Sequence, residues 1–181
     1  KFCAKATAFD TTGSSCTPCA SGKFQEQDSV ASVTCKQCAA GTEWKTTSDV
    51  CDTCADGKFQ EQNTTDSVSC KFCAAGLEYT STTTVCNACS TGQYQDRNTF
   101  AVASCLFCAA GTSFVDTNVS CNVCDTGKYQ HENAGASVVC SFCAVGTSFT
   151  AKETACVDCL EGKFQDSENE TTATCKFCAA G

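Results

Sequence analysis

Long apolar runs are missing from this chain, and so is any apolar stripe at helical spacing. No segment approaches the roughly 20 apolar residues a membrane-spanning helix needs. Without recurrence at i, i+3 and i+4, nothing predicts an amphipathic helical core. The opening residues do not read as a signal peptide, yet neither absence argues for the cytosol in a chain with this cysteine content. Methionine is absent, and proline, tryptophan and histidine occur once each, at Pro18, Trp44 and His131. With one histidine and no recurring Ser–His–Asp arrangement, hydrolytic chemistry has no assembled groups, and the chain does not read as an enzyme. Basic residues are the minority, 12 Lys and Arg against 20 Asp and Glu. A chain of net charge −8 repels phosphate backbones, so nucleic acid is not an expected partner. Carboxylates at calcium-loop spacing are missing too, and Asp66, Asp116 and Glu170 read as solvated surface.

What the chain has is cysteine, 21 in 181 residues. That is above the roughly 8–10% at which a chain reads as a disulfide scaffold. A reducing cytosol keeps such thiols free, so the expected location is extracellular or at the cell surface. The cysteines are periodic. Cys3, Cys38, Cys73, Cys108, Cys143 and Cys178 follow one another at 35-residue steps, as do the series from Cys16 to Cys156, Cys19 to Cys159 and Cys35 to Cys175. The period never slips, so the domain reading is five tandem repeats: residues 4–38, 39–73, 74–108, 109–143 and 144–178. Residues 1–3 read as the end of a truncated repeat and 179–181 as the start of another, which makes this a window on a longer protein or a mature processed part of one.

Each repeat has two halves that begin with C-x-x-C, with 12 residues before the next cysteine in the shorter and 15 in the longer. A glycine stands three positions after the second cysteine of nearly every motif, from Gly22 and Gly41 to Gly162 and Gly181, with Ala6 the one departure. Its regularity predicts a tight turn with positive φ or a close backbone approach. An aromatic follows: Phe24, Phe59, Tyr94, Tyr129 and Phe164 in the longer half, Phe9, Trp44, Tyr79, Phe114 and Phe149 in the shorter. A third series, Phe2, Phe72, Phe107, Phe142 and Phe177, lies inside C-x-x-C, with Gln37 as the exception. We expect each loop to hold a miniature core of one ring lying on a disulfide. In the longer half, alternation over 58–62, a turn over 63–66 and a return over 67–69 predict a hairpin. A smaller hairpin is expected around Thr46 to Ser48. The expected fold class is therefore small disulfide-rich tandem repeats with short β-hairpins and no helical core, arranged as an extended rod or filament.

A half-repeat of this size cannot bury enough surface to fold alone. Closing a loop of this length removes unfolded-chain entropy worth roughly 3 kcal/mol. The preferred pairing joins the second cysteine of each C-x-x-C to the first of the next: Cys3–Cys16, Cys19–Cys35, Cys38–Cys51, Cys54–Cys70, Cys73–Cys86, Cys89–Cys105, Cys108–Cys121, Cys124–Cys140, Cys143–Cys156 and Cys159–Cys175. Cys178 then waits for a partner beyond Gly181. Two alternatives stand beside it, an interleaved pairing between alternate motifs and bonds within each C-x-x-C, the last a strained ring better suited to redox enzymes. Zinc is the rival chemistry, because Cys51, Cys54, Cys70 and Cys73 give C-x2-C-x15-C-x2-C, a four-cysteine zinc spacing. Cysteine density and the overlapping 12-residue spacing favour disulfides, so no metal and no cofactor is expected.

The pattern Cys-x-x-Cys-Ala-Ala-Gly-Thr-x-aromatic, as at Cys35 to Trp44, resembles the small loop modules of tumour-necrosis-factor-receptor-type domains and of ephrin-receptor ectodomains. The whole chain resembles in texture the ciliate surface, or immobilisation, antigens, which are Ala-, Thr- and Cys-rich coat proteins with periodic C-x-x-C motifs. Receptor modules often carry proline after the second cysteine, where this chain has Ala39, Ala74, Ala109, Ala144 and Ala179. The unbroken period and these alanines favour the coat-protein resemblance, which implies a membrane anchor outside this window.

Three N-x-S/T sequons, at Asn63, Asn118 and Asn169, fall in expected turns and are candidate glycosylation sites. Gln25, Gln60, Gln95, Gln130 and Gln165 follow the hairpin aromatic in every copy. They read as exposed strand positions, with a repeated side-chain ladder or an assembly contact as the alternative. His131, beside Glu132, reads as a solvated turn residue. Stacked units touching mainly their neighbours suit a structural surface protein, a protease-resistant rod that self-assembles along or between rods. The alternative is a receptor-type ectodomain with a protein ligand, for which Phe100 and Trp44 are the candidate contacts. A zinc-organised repeat is the third reading.

Overall fold

Segments of 12 or 15 residues between cysteines leave room for only a few paired residues on each side of a turn. The computed structural model describes residues 2–9 and 15–179, and among them every strand is two or three residues long and no helix occurs. No helix is long and apolar enough to cross a membrane among these residues. The strands form ten two-stranded sheets. The chain is thus an array of small disulfide-rich repeats without a helical core. It divides into two compact units, one of Lys1–Ala74, Glu78–Asn87 and Asn98–Ala103, the other of Ala75–Leu77, Ala88–Arg97 and Ser104–Gly181. The same local pattern recurs in both.

In the shorter half, Thr42–Glu43 pairs antiparallel with Asp52–Thr53, and the same hairpin joins Thr112–Ser113 to Asn122–Val123 and Thr147–Ser148 to Val157–Asp158. Its turn is held by the Thr46 hydroxyl, which accepts hydrogen bonds from the backbone N–H of Ser48 (3.3 Å) and Asp49 (3.2 Å). A threonine that bonds the chain two and three residues on is a turn-former for that reason.

The longer half departs from expectation. Its return strand is not 67–69. Lys58–Phe59 pairs instead with Lys71–Phe72, inside the following C-x-x-C, and Lys128–Tyr129 and Lys163–Phe164 pair likewise with Ser141–Phe142 and Lys176–Phe177. The reason lies at Ser67, whose φ of 56° breaks the extended run. Val68 then turns inward, buried, and its carbonyl accepts the N–H of Trp44 at 2.9 Å. The register that results explains the third aromatic series. Lys58 lies opposite Phe72 with its Nζ 5.0 Å from the ring, and Lys71 lies opposite Phe59 at 5.7 Å. Each such cation–π pair contributes about 0.5–1 kcal/mol at an exposed site.

The core also differs from a ring laid on each disulfide. The rings are half-buried or exposed. Second cysteines such as Cys38, Cys73 and Cys108 are among the most buried side chains, as are Gln25 and Gln60, and the other three periodic glutamines are buried too. Val33, Val68, Ala103, Val138 and Ala173 complete the interior. Every described glycine of the periodic series has positive φ, from 77° to 90°. Ala6, standing where the series has glycine, takes the left-handed conformation too, at φ 62°. That costs an L-residue about 1–2 kcal/mol, and the hydrogen bonds Ala6 shares with Gln25 and Cys19 hold it there.

Candidate functional site: the joint between repeats

The structure joins the second cysteines from Cys3 to Cys159 each to the first of the next motif, in ten disulfides from Cys3–Cys16 to Cys159–Cys175. Their Cα–Cα separations of 5.5–5.8 Å lie at the usual disulfide distance. The four cysteines with zinc-like spacing fall into three of these bonds: Cys51 with Cys38, Cys54 with Cys70, and Cys73 with Cys86. A cysteine in a disulfide has no thiolate to give a metal. Cys178 is the free cysteine, and it is exposed.

The periodic glutamines are not exposed strand positions, and this is the main correction to the sequence reading. Gln25 and Gln60 are 1% exposed. Gln25 shows why. Its carbonyl accepts the N–H of Ala6 at 2.9 Å, and its own N–H donates to the carbonyl of Thr47 at 2.9 Å. Its side-chain amide donates to the carbonyls of Thr7 (3.0 Å) and Ala4 (3.3 Å) and accepts the N–H of Gln27. One residue therefore ties the preceding shorter half, its own longer half and the next shorter half together. The backbone part recurs without change: Gly41, Gly76 and Gly111 donate to Gln60, Gln95 and Gln130, each at 2.7 Å, and those three donate onward to Thr82, Thr117 and Lys152, each at 2.9 Å. In Gln130 and Gln165 the amide turns its NH2 to the carbonyl of residue 132 or 167, leaving a buried Oε1 unpartnered. Gln25 and Gln95 are hence the places to test the side chain. We expect Gln25→Leu, of similar volume, to lower stability by about 1 kcal/mol, because it removes three part-buried hydrogen bonds whose partners water can reach only in part. Urea unfolding of the oxidised chain measures it, with hydrogen exchange rising at residues 4–8. An unchanged midpoint and exchange pattern would contradict the assignment.

The second part of the joint is steric. A Cβ placed on Gly22 would lie 2.4 Å from the backbone nitrogen of Ser67, and one on Gly57 or Gly92 would lie 2.3 or 2.2 Å from that of Val102 or Ser137. The glycine of one longer half is thus in backbone contact with the turn of the next. That turn has one shape in four copies, with φ of 60°, 56°, 56° and 55° at Ser32, Ser67, Val102 and Ser137, and differs in the fifth, where Asn169 takes the positive φ of 60° instead. At Gly22 the contact includes a hydrogen bond from the Ser67 N–H to the Gly22 carbonyl, 3.3 Å.

The remaining candidates sit outside this joint. Asn63, Asn118 and Asn169 are all exposed. Asn63 Oδ1 accepts the N–H of Ala40 at 2.8 Å, a cap that Asn133 repeats on Ala110 at 3.0 Å without a sequon. A glycan on Nδ2 leaves that oxygen free to accept. Asn169 sits at φ 60°, which asparagine tolerates. His131 is exposed and stacks on Tyr129 with centroids 5.9 Å apart. Both line an open cleft of about 280 Å³ with Glu132 and Ser137. Trp44 is half-buried, its Nε1 donating to the Lys23 carbonyl at 3.3 Å, and occupies the ring position shared by Phe9 and Tyr79. Phe100 is exposed. Ion pairs are few and on the surface. The Glu26 carboxyl is held below its ordinary value by a backbone hydrogen bond and then by Lys36 at 3.0 Å. That increment of stability is present above the unfolded-state pKa and is lost as pH falls through the folded one, and solvent screening keeps it small. No group of metal-ligating side chains converges among the described residues. No family model matches the chain, and neither does any curated protein.

Proposed function

We propose that this chain is an extracellular structural protein, a disulfide-stabilised rod of a cell-surface coat. The observation that carries the reading is the joint: the same bonds around Gln25, Gln60, Gln95 and Gln130 link each longer half to the shorter halves on both sides. Units coupled only to their neighbours by a constant joint build a quasi-one-dimensional object, whose length is set by the number of copies. Ten disulfides support an oxidising location, outside the cell or on its surface. The exposed sequons support outward glycans on the same object, and the likeness in texture to ciliate immobilisation antigens supports a coat.

Small-angle scattering of the oxidised chain tests the rod. We expect a radius of gyration well above the ~16 Å of a compact domain of this length. We also expect that chains with one repeat added or removed change their maximum dimension by a constant step. Resistance to protease should be lost when reductant is added. A radius at the compact value would sink the rod, and surface labelling confined to permeabilised cells would sink the coat.

A further inference from the structure

The longer half of repeat 4 lacks a cation that those of repeats 1 and 2 have. In repeat 1, Lys36 lies opposite Phe24, its Nζ 6.0 Å from the ring centroid and 3.0 Å from Glu26 Oε1. In repeat 2, Lys71 lies opposite Phe59, 5.7 Å from the ring centroid and 3.8 Å from Glu61 Oε1. Each ammonium thus sits by a ring and a carboxylate. In repeat 3 the position is filled by Leu106, opposite Tyr94. In repeat 4 the ring is Tyr129, and the residue opposite it is only Ser141. The same stretch of the repeat lines a cleft in both copies, about 180 Å³ where Lys71 forms part of the wall and about 280 Å³ where Ser141 does. Tyr129 belongs to the wall of the larger cleft, as Phe59 does not to the smaller. Acceptors line it as well. Gln130 is 5% exposed, and its Oε1 is buried with no hydrogen-bond partner. The Glu132 carboxylate folds over residue 135, where its Oε2 stands in space that any Cβ would need and that glycine leaves. His131, stacked on Tyr129, takes the place of Glu26 and Glu61.

We propose that the cleft of repeat 4 binds a primary ammonium group, the end of a partner protein's lysine side chain or of a free alkylamine. The ligand class is read from the chain itself, since its own ammonium occupies the equivalent place in repeats 1 and 2. An ammonium has three N–H donors and no acceptor, which suits a wall that offers an amide oxygen, a carboxylate and a ring. The carboxylate supplies a charge-assisted hydrogen bond and the ring a cation–π contact. An anion or an apolar group would leave the Gln130 oxygen without a donor. Lys128 does not compete for the place, because it pairs with Asp125 at 3.1 Å and lies over Phe142, on the other face of the hairpin. Net charge −8 draws cations to the chain as a whole. The cleft is open, so a single ammonium binds weakly, with a Kd of about 1–10 mM. The site is local to one repeat and independent of the rod.

Amide chemical shifts of the oxidised chain test the inference, in a titration with n-butylammonium chloride at constant ionic strength. The shifts should saturate and be confined to residues 129–141. The equivalent stretches of repeats 1 and 2 should stay still, because their own lysines hold the place. Ser141→Lys is the decisive variant. It copies the pairing of Lys71 with Phe59, so it should keep the parent's disulfide map, and its own ammonium should abolish the titration. Glu132→Gln should weaken binding about twofold to fivefold, the span of an exposed ion pair. His131→Glu, which restores the carboxylate of repeats 1 and 2, should strengthen it by a similar factor. A capped lysine, Nα-acetyl-lysine methylamide, separates the two sources of ammonium. Tighter binding than n-butylammonium assigns the site to a partner's lysine, and equal binding assigns it to a free amine. Shifts spread over the acidic residues of all five repeats overturn the proposal, as does a titration that survives Ser141→Lys. So does a chain whose shifts do not move up to about 100 mM amine.

Discussion

Replacing both cysteines of one bond, Cys54→Ser with Cys70→Ser, is expected to lower the stability of the oxidised chain by about 3 kcal/mol. The bond closes a loop of sequence separation 16. Opening it returns the chain-closure entropy to the unfolded state. It also puts a polar hydroxyl where the Cys54 sulfur is buried. A repeat of 35 residues lies below the ~40 at which a chain folds without covalent or metal help, so no apolar core stands in reserve. Because coupling runs to neighbours, the loss should be local. Hydrogen exchange should rise across residues 54–70, and thermal unfolding should split into an early step for that loop and a later one for the rest. Cys178→Ser is the matched control, since that thiol is exposed and free, and it should leave the transition where it was. A double variant that melts with the parent would show that packing and backbone hydrogen bonds hold the loop without its bond.

How far the sequence reached can be judged at particular residues. The period and the half-repeats were legible because cysteine and glycine are used at every copy for one purpose, and the absence of a helical stripe left only short hairpins. The regularity narrowed the cysteine partners to a preferred pairing beside two alternatives, and the structure joins the preferred pairs. Positive φ at Gly22 or Gly57 was legible for a similar reason. Gln25 was not. A glutamine after an aromatic, in an alternating run, has the signature of an outward strand position, and nothing local says that its amide will reach Thr7 and Ala4, eighteen and more residues back. The available signal was its recurrence without exception in five copies, unusual for a surface position beside Glu26, Glu61, Asp96, His131 and Asp166, which vary. The return strand was misplaced because Ser67 gives no warning of φ 56°, a conformation that Ser32, Val102 and Ser137 share. The partners of Gln25 lie far along the chain, and composition cannot see them.

That contact can be isolated from backbone strain by comparing Gly57→Ala with Gly162→Ala. The two glycines have nearly the same φ, 78° and 77°, so alanine suffers the same left-handed penalty at both, about 1–2 kcal/mol. Only Gly57 has a neighbour. A methyl there would stand 2.3 Å from the Val102 nitrogen and 2.5 Å from the Ala101 Cα, and backbone atoms cannot rotate aside. The expected additional cost at Gly57 is about 1–3 kcal/mol, the range for forcing extra volume into a packed site. Unfolding by urea, at a concentration where the chain is monomeric, should place Gly162→Ala slightly below the parent and Gly57→Ala well below both. It should also lower the steepness of the Gly57→Ala transition, since repeats no longer coupled unfold one by one. Disulfide maps should be identical in all three, which shows that the loops are intact and the joint alone has failed. Equal losses at the two positions would mean that the turn of one longer half can leave the glycine of the preceding one at no cost. The array would then be a string of independent disulfide loops rather than a coupled series of repeats.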